Sequence, residues 1–207
     1  MSRHHVVITG TGRAGTTFLI QLMTALGMPT GFRERAADIY PLANAGMEWD
    51  LRDRHAPHVV KSPWLCDQLD EVLAGHDIVI DHVLVPVRDL FSAAESRRAV
   101  SRASGHGDAP GGLWDTPDPG QQEDILMAKL YKLMYTLAKH DIPVTLLHFP
   151  RITRDADYLY EKLKPLLGLS QRWNFHAAFQ HVVKPALVHD FKPRNQQMTK
   201  SASRSPA

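Results

Sequence analysis

A single cysteine, Cys66, in 207 residues excludes an internal disulfide framework and a cysteine-built zinc site. It suits a reducing compartment, so a cytoplasmic location is the expectation. Charge of one sign is equally scarce. With 24 Lys and Arg against 22 Asp and Glu, the formal charge is only +2, which gives no footprint for nucleic acid but leaves room for a basic local pocket. No apolar run approaches the roughly 20 residues that span a bilayer. The N-terminal MSRHH passes straight into the strand-like HVVITG without the apolar core of a signal peptide, so no integral membrane segment is expected. The twelve histidines are scattered. His4 and His5 are adjacent, but they precede a strand in which neighbouring side chains point to opposite faces, so no metal site is expected.

What the chain does have is a hydrophobic content of 43%, enough to bury a core at a length that suits one domain. Residues 1–191 are therefore read as one domain. Residues 192–207 are polar and patternless and are expected to form a disordered tail. Short β-branched runs alternate with helical spacing along the chain. A strand over His5–Thr9 leads to a helix over Thr16–Leu26 that Gly27 stops. Segment 28–57, broken by Pro29, Gly31, Pro41, Gly46 and Pro57, should hold short helices and loops. A strand over His58–Lys61 precedes a helix over Leu65–Leu73, and Ile78–Val87 (IVIDHVLVPV) reads as a central strand buried on both faces. A helix over Asp89–Arg102, a glycine- and proline-rich candidate lid over Gly105–Gly120, a helix over Glu123–His140, a strand over Val144–Phe149 and a helix over Asp155–Leu167, weakened at Pro165, complete the pattern. Such alternation implies right-handed crossovers and a three-layer α/β fold. Helices flank a central, mostly parallel sheet, and the ligand site lies beyond the carboxyl ends of the strands.

The stretch GTGRAGTT, Gly10 to Thr17, lies between the first strand and first helix with the glycine spacing of a phosphate loop. Glycines let the backbone curl so that several N–H groups converge, and the helix start adds a field that favours an anion. A triphosphate-binding loop would carry lysine where Thr16 stands. Here the cation lies inside the loop, at Arg13.

GRAGTTFL resembles the 5′-phosphosulfate loop of sulfotransferases that use 3′-phosphoadenosine 5′-phosphosulfate (PAPS). VPVRDLFSAAES, residues 85–96, is similar to the segment with which that family holds the 3′-phosphate, an arginine at a strand end and a serine eight residues on, matched by Arg88 and Ser96. VVKSPW, residues 59–64, resembles the Lys-Ser/Thr-Pro segment of glycan and bacterial sulfotransferases, and LLHFPRITRDADYLYEKLKPLLGL resembles a strand, loop and helix near their C-terminus. Together these patches touch about half the chain. The resemblance implies a P-loop-type fold and transfer of a sulfuryl group from PAPS to a hydroxyl of a small molecule, sugar or lipid, with no metal.

On that resemblance Gly12, Arg13, Ala14, Gly15, Thr16 and Thr17 hold the 5′-phosphate, and Arg88 and Ser96 the 3′-phosphate. Arg13 and Lys61 supply catalytic positive charge. The family's lysine-adjacent histidine is absent, since Ser62, Pro63 and Trp64 follow Lys61. Glu34, in the window where glycan-type members carry a glutamate, is the implied general base, with Glu48 and His58 as alternatives. Trp64 is a candidate for stacking on adenine. The family's C-terminal Arg-Lys-Gly segment is missing, leaving Lys192 and Arg194 as substitutes. Two other functions stay open: a P-loop kinase with an altered loop, in which Asp81 or Asp89 would hold Mg²⁺, and a noncatalytic nucleotide-binding protein.

Overall fold

The computed structural model of the chain describes residues 2–33, 39–75, 77–105, 109–189 and 191. Four parallel strands build the main sheet in the order β4 (Val59–Lys61), β1 (Arg3–Ile8), β5 (Ile78–Val87), β6 (Val144–His148). The register sets Val7 beside Val60 on one side and Val83 on the other, and Val85 beside Leu146. One face packs on α1 (Thr16–Ala25), α5 (Ala156–Leu163) and α6 (Leu169–Val182) through Leu19, Leu22, Met23, Leu159 and Phe175. The other packs on α2 (Leu65–Ala74) and α4 (Gln122–Lys139) through Leu65, Leu69, Leu133 and Leu137. This is the expected three-layer α/β arrangement. Parallel pairing requires a crossover between strands, and each crossover here buries an apolar helix stripe against the sheet.

α3 (Leu90–Ser104) follows β5 directly. The Asp89 carboxylate caps it, accepting from Ser92 N at 2.9 Å. Its small residues Ala93 and Ala94 pack on Leu126 of α4.

Several expectations need adjustment. β5 is buried on both faces only in its second half; Val79 and Asp81 are exposed. β5 also carries a register shift. His5 pairs with Ile80 but Val6 pairs with His82, so Asp81 is an extra residue and the strand bulges there. Segment 28–57 contains, among its described residues, a two-stranded antiparallel hairpin, β2 (Ile39–Tyr40) and β3 (Ala45–Gly46), rather than helices. The last turn expected at 164–167 is a tighter 3₁₀ turn over Lys164–Leu166, as Pro165 dictates. α6 has no counterpart in the sequence reading. The expected tail at 192–207 lies outside the described residues.

His5 sits in β1 with 1% exposure, its Nδ1 bonded to the Pro57 carbonyl at 2.7 Å. Burial, opposed by that bond, pulls the imidazole below its ordinary 6.5. The unfolded chain therefore takes up a proton that the folded chain refuses. Stability from this group is complete above about pH 6.5 and is lost as pH falls toward the depressed folded value. Melts at about pH 7.5 and pH 5.5 should show a lower Tm in acid, and His5→Gln should shrink the difference.

Candidate functional site

β1 ends at Ile8, and the backbone turns through four positive φ angles before α1 begins: Gly10 +128°, Gly12 +72°, Arg13 +55° and Gly15 +90°. Glycine is required at two of these for space as well as conformation. A Cβ on Gly12 would stand 2.7 Å from Nη2 of Arg97, and one on Gly15 would stand 3.1 Å from both Phe149 and Ile152. Gly15 is the N-cap of α1 and offers no side chain, so no side-chain bond caps the helix start. Uncapped first-turn amides and the helix dipole make this an anion seat. Arg13 is the non-glycine member of the turn, held in a conformation that costs about 1 kcal/mol or more and that recurs at functional sites.

The loop opens into a cleft of about 520 Å³ at the carboxyl edge of the sheet. Its charge is lopsided. Among the described residues lining it, Arg13, Lys61, Arg88, Arg97 and Lys184 face the single carboxylate of Glu48. Arg13 donates from Nε to Ser96 Oγ at 3.0 Å and from Nη1 to the Ala43 carbonyl, and Nη2 makes no hydrogen bond among the described residues. Arg88 donates to the Arg13 carbonyl at 2.8 Å and to the His189 carbonyl, with its guanidinium 5.0 Å from the Phe149 ring centre. Arg97 donates to the carbonyls of Thr11 at 2.6 Å and Gly112 at 2.7 Å, and lies 4.8 Å from the Trp114 ring centre. Burial, with repulsion from Arg88, draws Arg13 down to about 10. Burial, with repulsion from Arg13, draws Arg97 down to about 9. Both stay charged at neutral pH, and among the described residues neither forms an ion pair. Burying charge without a counter-ion is expensive, and such an arrangement suits an anionic ligand.

Lys61, the last residue of β4, is 3% exposed. Its ammonium donates to Glu48 Oε1 at 2.6 Å, to the Gly46 carbonyl at 2.7 Å and to Thr17 Oγ1 at 3.2 Å. Burial lowers its pKa, Glu48 pulls it back up, and Arg13 lowers it again.

The fold thus brings Gly12, Arg13, Gly15, Thr16, Thr17, Lys61, Arg88 and Ser96 to one cleft. Ser96 meets Arg13 rather than Arg88. Ala14 does not line the cleft; its side chain is buried in the core beneath α1. Glu34 lies outside the described residues, as do Lys192 and Arg194. Of the two alternative bases, Glu48 lines the cleft. His58 precedes β4, bonded to the His4 carbonyl at 2.8 Å, at the end of the sheet away from it. Trp64 stands at the cleft rim, 43% exposed. Asp81 pairs with His4 at 2.8 Å in the first half of β5, and Asp89 is committed as a helix cap, so neither faces the cleft as a Mg²⁺ ligand would.

Two of the lining cations were not anticipated. Lys184 follows the unanticipated α6. Arg97 carried a usable signal: Ala93, Arg97 and Val100 recur at helical spacing and are all buried, so the arginine sits on the packed face of α3. No protein-family model matches the chain, and no curated protein does either.

Proposed function

We propose that this chain is a sulfotransferase that moves a sulfuryl group from PAPS to a hydroxyl-bearing acceptor. One observation carries the reading. Two buried guanidiniums, Arg13 and Arg97, which have no carboxylate partner among the described residues, adjoin an uncapped helix start in which Thr16 stands where a triphosphate-binding loop would carry lysine. The residues fit the nucleotide in two respects: among the described residues Nη2 of Arg13 makes no hydrogen bond, and the cleft carries a surplus of cations.

PAPS, when bound, supplies an activated sulfuryl group on a phosphate anhydride oxygen. The amides at Gly15, Thr16 and Thr17 then bind the 5′-phosphate, and Arg88 with Ser96 the 3′-phosphate. Arg13 holds positive charge where negative charge grows on the leaving oxygen, and Lys61 does the same for the nonbridging sulfuryl oxygens. Fixed charge placed in advance is worth most in such a water-poor cleft. Glu48 takes the acceptor's hydroxyl proton as the new S–O bond forms and the bond to the anhydride oxygen breaks, giving a sulfate ester and adenosine 3′,5′-bisphosphate.

Calorimetric titration with adenosine 3′,5′-bisphosphate and with Mg-ATP tests the reading. Binding of the bisphosphate in the presence of a chelator, at least about tenfold tighter than Mg-ATP, is the expected result, equivalent to about 1.4 kcal/mol. Preference for Mg-ATP would move the protein to the kinases. Tight bisphosphate binding without transfer of labelled sulfate from PAPS to any acceptor in an extract would make it a noncatalytic binder.

A further inference from the structure

Arg97 does more in the structure than add charge to the cleft. Its two terminal nitrogens reach in different directions: Nη2 to the Thr11 carbonyl in the phosphate loop, and Nη1 to the Gly112 carbonyl in the segment between α3 and α4. The missing side chain of Gly12 makes room for this bridge, since a Cβ there would collide with Nη2.

Segment 109–115 is fastened at its far end by bonds that do not involve the loop between β1 and α1. Leu113 N donates to Ser101 Oγ at 2.8 Å and Trp114 N to the buried Gln122 side chain at 2.6 Å. The Trp114 ring has Arg97 4.8 Å and Lys129 4.6 Å from its centre, and Lys129 ties Asp67 of α2 to Asp115 at 2.5 and 2.6 Å. At its near end the segment meets the hairpin turn. A Cβ on Gly111, whose φ is +79°, would stand 2.9 Å from Cβ of Ala43 and 3.3 Å from Nη1 of Arg13. The roof of the cleft therefore has two halves that touch at Gly111 and Ala43. Arg13 holds the carbonyl of one, and Arg97 holds the carbonyl of the other.

We infer that Arg97 is a positioning residue that fastens the phosphate loop to segment 109–115, so that an anion seated on the loop also orders the roof over the acceptor. Arg97 acts through the Thr11 and Gly112 carbonyls, which the planar guanidinium can join at once and a lysine ammonium cannot span in the same way. The coupling to an anion rests on the nucleotide reading above; the bridge itself does not.

Hydrogen exchange of the full chain, with and without adenosine 3′,5′-bisphosphate, separates the two. Arg97→Met is the informative variant, because an apolar side chain of similar length keeps the packing volume while removing the donors to the Thr11 and Gly112 carbonyls; Tm is read alongside and is expected to fall modestly, with α4 serving as the internal control for global loosening. Without ligand, Arg97→Met is expected to raise exchange at least fivefold in residues 109–113 and in 10–13, with α4 unchanged. Unchanged exchange in those segments overturns the bridge. With the bisphosphate, the wild type is expected to gain protection in both segments and Arg97→Met in the loop alone. Protection of 109–113 that survives in Arg97→Met, or a wild type protected only at the loop, overturns the coupling. Absence of any ligand effect on either segment, with the ligand-free difference intact, counts against the nucleotide reading and leaves the bridge standing. Arg97→Lys is expected to restore less than half of the lost protection.

Discussion

Arg13→Gly is expected to reduce sulfuryl transfer about a hundred- to a thousandfold, the range seen when one preorganised donor is removed from a site of developing charge. Glycine is the substitution of choice because Arg13 has a φ of +55°, which glycine adopts without strain while an alanine would not. Comparing the two separates backbone from charge. If kcat falls equally in Arg13→Gly and Arg13→Ala, the guanidinium is responsible. If only Arg13→Ala suffers, the turn is. Both variants lose the bonds to Ser96 and the Ala43 carbonyl, so Tm should be read alongside. A fold intact by circular dichroism together with wild-type kcat would remove Arg13 from the chemistry.

Glu48→Gln is the second large effect. The change leaves an amide oxygen for the Lys61 ammonium but removes the negative charge 2.6 Å from it. Transfer is expected to fall by about 10²–10⁴, the usual contribution of a positioned base. The pH profile is the sharper readout. Burial already holds Lys61 below its ordinary 10.5, and Glu48 is what raises it again. Without the carboxylate the ammonium loses its proton at lower pH, so the alkaline limb of kcat/KM should shift toward neutrality. Removing one partner of a buried pair also costs about 3 kcal/mol at the low end of the known range, and the retained acceptor places this variant there. Lys61→Met should match the loss in kcat while sparing most of the stability, because the partly exposed Glu48 can turn to water. An alkaline limb unmoved in Glu48→Gln would show that Lys61 does not set it.

Much of the fold was legible because apolar periodicity reports burial directly. The bounds of β5, Ile78–Val87, were read to the residue, and those of α1, α2 and α4 to within a residue or so. What failed were features that depend on distant neighbours. The bulge at Asp81 is visible only once β1 is paired with β5, since nothing in IVIDHVLVPV marks one residue as surplus. The hairpin of β2 and β3 is two residues long on each side, too short to show a period. α6 has Phe175, Ala178, Phe179 and Val182 on one face, but exposed Leu169 and Trp173 blur the stripe. At the site, glycine spacing marked the positive-φ turn between β1 and α1 because such a turn is a local object. Arg97 escaped because its importance lies in joining Thr11 to Gly112, which are about a hundred positions apart in the chain.

The extra residue in β5 reconciles two halves of one strand whose apolar patterns are out of step by one. Side chains of a strand alternate, so each residue added or removed exchanges inside for outside from that point on. Upstream of Asp81, Ile78 and Ile80 point to the α2 and α4 layer; downstream, Val83 and Val85 resume that direction and Leu84 turns to α1. Asp81 takes up the odd step between Ile80 and Val83, so the pairs Val6–His82, Val7–Val83 and Ile8–Leu84 stand as they would in a regular ladder, with Leu84 on the α1 face. The surplus is therefore discharged before the strand reaches Arg88, and trimming that one peptide unit would leave the pocket's far wall where it is.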